Sequence, residues 1–515
     1  MKLFAPFPKE RQVREMNGFR FSRRSFFQVA GSSSLGIIAR MPNGLAANPD
    51  KMRTSPEFEE EPQGAVSVAL KDVSPLGVFL ASHRADTGMQ FWTLERWRKE
   101  IQTLRSIGAR SVWYLPMQFG QREELDFDDT APHWTLQKGI CRAIAEAGLT
   151  VGIYVGLNDI FAGTANANPG WKAQEGRYFL EEGQVCPSHP SALQVIMRLR
   201  ERLFAQLPQV DYVITPITDY GGCSCDKCSP YPLTYLRVLE QEAATCRRFH
   251  PHAKIVAAGH IVGLDDEDML RAQLRKTDWV DYVADIPRGA KPIIKYYMNP
   301  EITMVNGWGI YGPCPALPII RQTYLQDYPH MAGAMPYSEG IHDDVNRFAV
   351  LRYASNPNLT VSGVARQYAE EMLELTGSSA TRVAEAIAGL GNQAGSDRAL
   401  FYTEYGPINP DADDRLKALI DARTLNPKLK DNYRYWLLQY RAACESFSVP
   451  TGPLNIDILI AEAEIARQAF LRLEPEYGRF LVGHHPSLLP GRSLWTWQRT
   501  FRGAWKRENT FFAEK

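Results

Sequence analysis

The 515-residue chain is short of cysteine, with 8 in all, and it carries no excess charge. That cysteine content is too low for a disulfide scaffold at this length. Lys plus Arg and Asp plus Glu both total 58, which argues against nucleic acid or an anionic membrane surface as the main partner. No apolar run is long enough for a permanent membrane span, so no stable membrane anchor is expected. A Gly-rich Walker phosphate loop and a His-Glu-x-x-His zinc helix are both missing. The chain does have a globular composition, with 44% apolar and 23% charged residues. Its length suggests more than one compact core. Aromatics make up 11%, enough for core packing and for a cleft that stacks on sugar rings.

The N-terminus holds Ser22-Arg23-Arg24-Ser25-Phe26-Phe27, a weakly apolar stretch to Ile38, Arg40, and small residues at Gly44-Leu45-Ala46-Ala47. This resembles a twin-arginine translocation signal. It implies export of a folded chain through the twin-arginine machinery to a periplasmic or extracellular location, with a mature start near Ala47 or Asn48. No cysteine follows the apolar stretch, so a lipoprotein anchor is not expected. Residues 1–47 are read as the signal and the polar, acidic residues 48–75 as a linker.

From Leu76 short apolar strands alternate with amphipathic helices, the pattern of a parallel sheet. Strands are expected at Gly77–Leu80, Ser111–Leu115, Thr150–Val155, Asp211–Ile214, Lys254–Ala258, Val280–Ala284, Ile302–Val305 and Met331–Met335. Eight strands between residues 76 and 358 predict an α/β fold, a (β/α)₈ TIM barrel, in preference to a doubly wound sheet. Residues 359–515 read as a mainly helical C-terminal domain. Val361, Val364, Tyr368, Met372 and Leu375 share one helical face, as do Leu459, Ala463, Ala466, Phe470 and Leu473.

Barrel chemistry sits where strands end. That filter selects His83 and Arg84, Asn158, Asp219 and Tyr220, His260, Asp285, Asn306, Trp308, Tyr311 and Glu339. Acids, amides, histidines and aromatics together suit carbohydrate, which needs many hydroxyl contacts and stacking faces. Asp219 and Glu339 are the expected carboxylate pair. Glycoside hydrolysis uses one carboxyl to protonate the leaving oxygen and another to attack or to activate water. Asp285 is a third candidate, and the remaining strand-end residues would hold sugar hydroxyls and faces. Asp343 and Asp344 are expected to cap the eighth helix.

Past the fourth strand stands Asp219-Tyr220-Gly221-Gly222-Cys223-Ser224-Cys225-Asp226-Lys227-Cys228. This resembles an Asp-x-Gly-Gly-x-Cys-x-Cys-x-x-Cys motif of bacterial glycoside-hydrolase-like barrels, distant relatives of the β-hexosaminidase and α-glucuronidase barrels. Cys186-Pro187-Ser188-His189-Pro190 and Tyr337-Ser338-Glu339-Gly340 are similar to two further stretches of those proteins. The resemblance covers residues 76–375 and implies that Asp219 lies at or beside the general acid. One departure is that the hexosaminidase pattern has adjacent Asp-Glu where this chain has Asp219-Tyr220. Substrate-assisted cleavage of an N-acetyl sugar is therefore not supported.

Cys223, Cys225 and Cys228 suit a tetrahedral metal such as zinc if a fourth ligand is supplied by Cys186 or Cys314. A disulfide is the equal alternative in an oxidising compartment, and free thiols are a third. In each case the cluster reads as a staple for the loop, and no cofactor is required for the chemistry. Cys141 and Cys246 read as buried apolar residues. The leading expectation is an exported glycosidase acting on a poly- or oligosaccharide. The alternatives are a non-catalytic carbohydrate-binding barrel and a metal-dependent or redox enzyme exported folded.

Overall fold

The structure, a computed structural model, describes residues 68–80, 92–116, 132–174, 183–216, 222–258, 264–284, 289–296, 315–338, 343–390, 411–446 and 456–475. The twin-arginine stretch and most of the linker lie outside them. The linker's last residues are tied down: Val68 N–H donates to Asn358 Oδ1 (2.9 Å), and Lys71 N–H donates to the Tyr328 hydroxyl (2.9 Å).

Nine strands form one parallel, curled sheet. They are β1 (Gly77–Leu80), β2 (Ser111–Tyr114), β3 (Thr150–Tyr154), β4 (Tyr212–Pro216), β5 (Lys254–Ala258), β6 (Tyr282–Ala284), β7 (Ile293–Lys295), β8 (Met331–Ala334) and β9 (Tyr337–Ser338). The order is β8-β7-β6-β5-β4-β3-β2-β1-β9. The two outermost strands belong to one run, residues 331–338, which is bonded on both flanks. On one side Ile293 pairs with Met331, and Met335 N–H donates to Lys295 O (2.8 Å). On the other, Ser74 N–H donates to Ala332 O (2.8 Å), and Phe79 is in register with Tyr337.

The seventh strand corrects the sequence reading. It is Ile293–Lys295, not Ile302–Val305, which lies outside the described residues. Only two apolar residues stand between Pro292 and Lys295, a weak signal beside the longer run downstream. The strand succeeds because both neighbours supply its hydrogen bonds.

Side chains alternate across each strand. One set, with Val78, Leu80, Val112, Val151, Ile153, Val213, Ile255 and Val283, meets the helix layer. The other set, Phe79, Trp113, Ile214, Val256, Ala258, Ala284, Ile294 and Met335, forms a separate interior cluster. Large and small residues interdigitate there: a Cβ on Gly152 would stand 2.1 Å from the Trp113 ring.

Helices α1 (Leu94–Ser106), α2 (Pro132–Glu146), the short α3 (Ala162–Ala167), α4 (Pro190–Gln206), α5 (Tyr231–Phe249), α6 (Leu264–Leu274), α7 (Leu317–Asp327) and α8 (Asp344–Ser355) lie between or after the strands. The α1 start is fixed by Thr93, whose hydroxyl accepts from Arg96 N–H. α1 buries Trp97, Ile101 and Leu104. Gly148, at φ +74°, follows α2 in a conformation that favours glycine. Cys141 and Cys246 are fully buried on α2 and α5.

Past residue 359 the described elements are helical: α9 (Val361–Glu371), α10 (Gly377–Gly389), α11 (Ala412–Leu425), α12 (Tyr433–Ser446) and α13 (Ile456–Leu473), with a 3₁₀ turn at Pro427–Asp431. They belong to the same compact unit as the sheet. Among the described residues no helix is long and apolar enough to cross a membrane.

A buried ionic network joins the two groups of helices. Arg347 on α8 pairs with Glu100 on α1 (3.0 Å) and with Asp344 (3.4 Å). Asp344 also meets Arg434 on α12 (2.9 Å) and accepts from the Tyr368 hydroxyl on α9 (2.6 Å). Arg96 bridges Glu100 (3.3 Å) and Glu474 (3.2 Å). The capping expectation for the two aspartates is thereby corrected. Asp343 holds the N-cap position but makes no side-chain cap bond, accepting instead from the Ser338 hydroxyl (3.1 Å), while Asp344 is a node between helices.

Burial pushes the Asp344 carboxyl up, but Arg434, Arg347 and the Tyr368 hydroxyl together hold it below its ordinary value. Replacing one member of a buried pair leaves the partners uncompensated. Asp344→Asn is expected to destabilise the chain by about 3 kcal/mol in chemical denaturation at neutral pH. A carboxyl depressed on folding stabilises above its unfolded pKa of about 3.9, and that stability is lost as pH falls through the folded value. The gap between wild type and variant should therefore be full at neutral pH and shrink below about pH 4; a gap independent of pH contradicts the network's role.

Candidate functional site

The C-terminal end of the sheet carries an aromatic floor. Phe79 on β1 is stacked on Tyr154, the last residue of β3, with centroids 5.3 Å apart and planes at 8°. Tyr337 on β9 approaches the same ring at 5.3 Å, and Tyr296, just past β7, lies 6.0 Å from it. Tyr154 and Tyr337 are half-buried and Tyr296 is buried. At the other side of the interior, β5 and β6 end in the small residues Ala258 and Ala284. The sequence reading missed Tyr154 and Tyr296, because an aromatic at a strand end reads as core. Tyr337 stands out in the sequence only as part of its strand end.

Most of the selected polar residues lie outside the described residues: His83, Arg84, Asp219, Tyr220, His260, Asp285, Asn306, Trp308, Tyr311 and Glu339. Their attachment points are described. Asp285 directly follows β6 and Glu339 directly follows β9, while Asp219 comes soon after β4. The nearest described strand before Asn306, Trp308 and Tyr311 is Ile293–Lys295.

Asn158 is described, and its position does not suit sugar contact. It is 1% exposed. Its side-chain amide donates to Val185 O (2.9 Å) and Gly222 O (3.1 Å), and its Oδ1 accepts from Gly222 N–H (3.2 Å). Val185 precedes Cys186 and Gly222 precedes Cys223, so Asn158 is a clamp between the loop after β3 and the loop after β4. Gly222 has φ +96°, a backbone conformation that side chains rarely adopt.

The four cysteines Cys186, Cys223, Cys225 and Cys228 converge beyond this clamp, with sulfurs all within 4.8 Å of one another. Cys186 Sγ lies 3.7 Å from Cys225 Sγ and 3.6 Å from Cys228 Sγ. Cys314, the other candidate for a fourth ligand, lies outside the described residues. Cys223 and Cys228 are buried, and Cys186 and Cys225 half-buried. The strap from Trp171 to Gln174 holds them: Cys186 N–H donates to Trp171 O (2.7 Å), Ser224 N–H to Gln174 O (3.0 Å), and Gln174 N–H to Cys223 Sγ (3.3 Å). Hydrogen bonds from the Cys186 and Cys228 thiols hold the Cys223 thiol far below its ordinary value.

No protein-family model matches the chain, and no curated protein matches it. Solved structures do. One is a GH138 enzyme targeting pectin rhamnogalacturonan II, at 10% identity and TM-score 0.45, covering 81% of this chain and 62% of that one. The chain thus spans less than two thirds of that enzyme's length. A β-N-acetylhexosaminidase aligns at 11% identity and TM-score 0.39 over 58% of this chain and 76% of its own. The β-N-acetylhexosaminidase of Bacteroides fragilis aligns at 13% and 0.37 over 58% and 70%.

Beneath the loops lies a second polar group that the sequence did not reveal. Arg200 on α4 and Glu242 on α5 are fully buried and paired at 2.9 Å. Glu242 also accepts from the Thr215 hydroxyl, and Arg200 donates to Gly156 O. The Tyr235 hydroxyl donates to Thr215 O (2.7 Å) and accepts from Ala258 N–H (3.1 Å). The ends of β3, β4 and β5 are thereby cross-linked from behind. Asp159, next to Asn158, has its carboxyl pushed up by burial, against the pull of Arg200 and Gln184.

Removing the Asn158 amide would leave the Val185 and Gly222 backbone groups unpaired in a dry setting. Asn158→Ala is expected to cost about 2–3 kcal/mol in chemical denaturation. It should also raise amide hydrogen exchange at Gly222. An unchanged midpoint would show that the clamp does not hold the two loops.

Proposed function

We propose that the chain is an exported glycoside hydrolase-like enzyme, with its cleft at the C-terminal mouth of a closed (β/α)₈ barrel and the helices past 359 packed as its C-terminal part. The observation that carries this reading is the floor of Phe79, Tyr154, Tyr296 and Tyr337 at the strand ends. Aromatic faces at that end of a parallel barrel suit stacking against the apolar face of a sugar ring, with polar loops above to hold its hydroxyls. Run 331–338, bonded to both β7 and β1, supports closure into a ring of eight. In such a ring β4 and this run are four strands apart. Asp219 and Glu339 would then follow strands on opposite sides of the mouth, an arrangement that can set two carboxyls on either side of one bond.

In this reading Asp219 is the general acid/base and Glu339 the nucleophile or second carboxylate. Asp285, His83, Arg84, Tyr220, His260, Asn306, Trp308 and Tyr311 are the substrate contacts. Asn158 is left out of that set because its amide is already committed. The motif likeness around Asp219 points the same way. The Asp219-Tyr220 departure keeps one second reading, a barrel that binds carbohydrate without cleaving it.

Wild type is to be screened against a panel of plant and bacterial polysaccharides and oligosaccharides for released reducing sugar, alongside a glycan array. Asp219→Asn and Glu339→Gln are each expected to lower hydrolysis by about a hundredfold or more while the thermal midpoint stays unchanged. Undiminished turnover in either variant removes that residue from the pair; array binding without hydrolysis by the wild type favours the binding barrel. Export carries its own test. The mature protein recovered outside the cytoplasm should begin near Ala47 or Asn48, and replacing Arg23 and Arg24 by lysine should leave the precursor inside uncleaved. Export of that variant at the wild-type level contradicts the twin-arginine reading.

A further inference from the structure

We infer that Cys186, Cys223, Cys225 and Cys228 form a closed four-thiolate site for one zinc ion, which locks the loop after β3 to the loop after β4. The inference stands on the cluster alone and does not depend on the glycosidase reading.

Spacing is the first ground. A zinc–sulfur bond of about 2.3 Å in a tetrahedron places its sulfurs about 3.8 Å apart. Two of the six separations are 3.6 and 3.7 Å, and all four sulfurs lie within 4.8 Å of one another. A disulfide would bring one pair to about 2.05 Å and leave the other two sulfurs without a reason to converge. Thiols that merely fill an apolar core need not gather around one point.

The donor set comes next. Four sulfurs are soft ligands that favour zinc over oxygen-seeking cations. With all four positions filled by protein, no place remains for water or substrate, which makes the ion structural and not a Lewis acid for catalysis.

The surroundings then fit a charged centre. Four thiolates about a divalent ion leave a net charge of about −2, which needs hydrogen-bond donors. Gln174 N–H already points at Cys223 Sγ (3.3 Å). Ser188 Oγ lies 3.2 Å from Cys228 Sγ and receives a bond from Arg237 Nη2 (3.1 Å). With the metal bound, the Ser188 hydroxyl turns to donate to the sulfur, and Arg237 supplies the compensating positive charge. Asn158 holds both chain entries, at Val185 and Gly222, so the ligands are brought together by groups that are not themselves ligands.

The full chain, purified without chelator, is to be analysed for metal content. About one zinc per chain is expected. A thiol-blocking reagent should release that zinc in step with the modification of four cysteines. Replacing zinc with cobalt should give the visible absorption of tetrahedral sulfur-ligated cobalt. Cys225→Ser should retain at least tenfold less zinc at equal free zinc. If that variant does not fold, the wild-type release and cobalt spectrum still decide. A reduced, folded wild-type chain that holds no stoichiometric metal and takes up no cobalt overturns the inference. So does stoichiometric iron in zinc's place, or a disulfide among the four found by peptide mapping of the native protein. None of these readouts involves hydrolysis, so loss of the glycosidase reading leaves them intact.

Discussion

The architecture depends on one run of eight residues that is bonded on both flanks. Residues 331–338 meet β7 through Met331 and Met335, Ser74 just before β1 through Ala332, and β1 itself through Tyr337. An open parallel sheet leaves unpaired donors and acceptors at its edges. Here the first and last strands find their partners in the same segment. Phe79 and Tyr337 are brought into register by that pairing, which adds the Tyr337 ring to the aromatic floor.

Charge plays a comparable part on the outer layer. Asp344, Arg347, Glu100, Arg434 and Arg96 are linked by ion pairs, and removing any one would strand another in a low-dielectric setting. The network joins α1 and α8 to α9 and α12, so the helices past 359 pack as a continuation of the helix layer around the sheet. The Arg200–Glu242 pair does similar work behind β3 to β5. Both loops that carry the cysteine cluster rise from strands braced in this way.

Much of the sheet was legible in the sequence. β1 and β5 begin and end at the residues that periodicity assigned, β2, β3, β6 and β8 differ by a residue or two at one end, and β4 differs at both. Period-two alternation and glycine stops are local, so they survive in one dimension. The seventh strand was not legible: Ile293-Ile294 is too short to stand out, and only its neighbours' backbones make it a strand. The partners of Asn158 were not legible for a related reason. Its place after β3 is visible in the sequence, but the backbone groups that occupy its amide come from Val185 and Gly222, far along the chain.

The sequence by itself determined the alternation of strand and helix, the apolar faces of the helices, the strand ends that carry Asp219 and Glu339, and the close spacing of three cysteines. These follow from local sterics and from which side chains avoid water. Only the tertiary structure decided that Cys186 meets those three cysteines, that Asp344 is a node and not a cap, and that Tyr154, Tyr296 and Tyr337 share one floor. Each of these depends on distances between chain segments that are remote in sequence. Such distances are set by sheet register and by the pairing of buried polar groups, which local pattern does not encode.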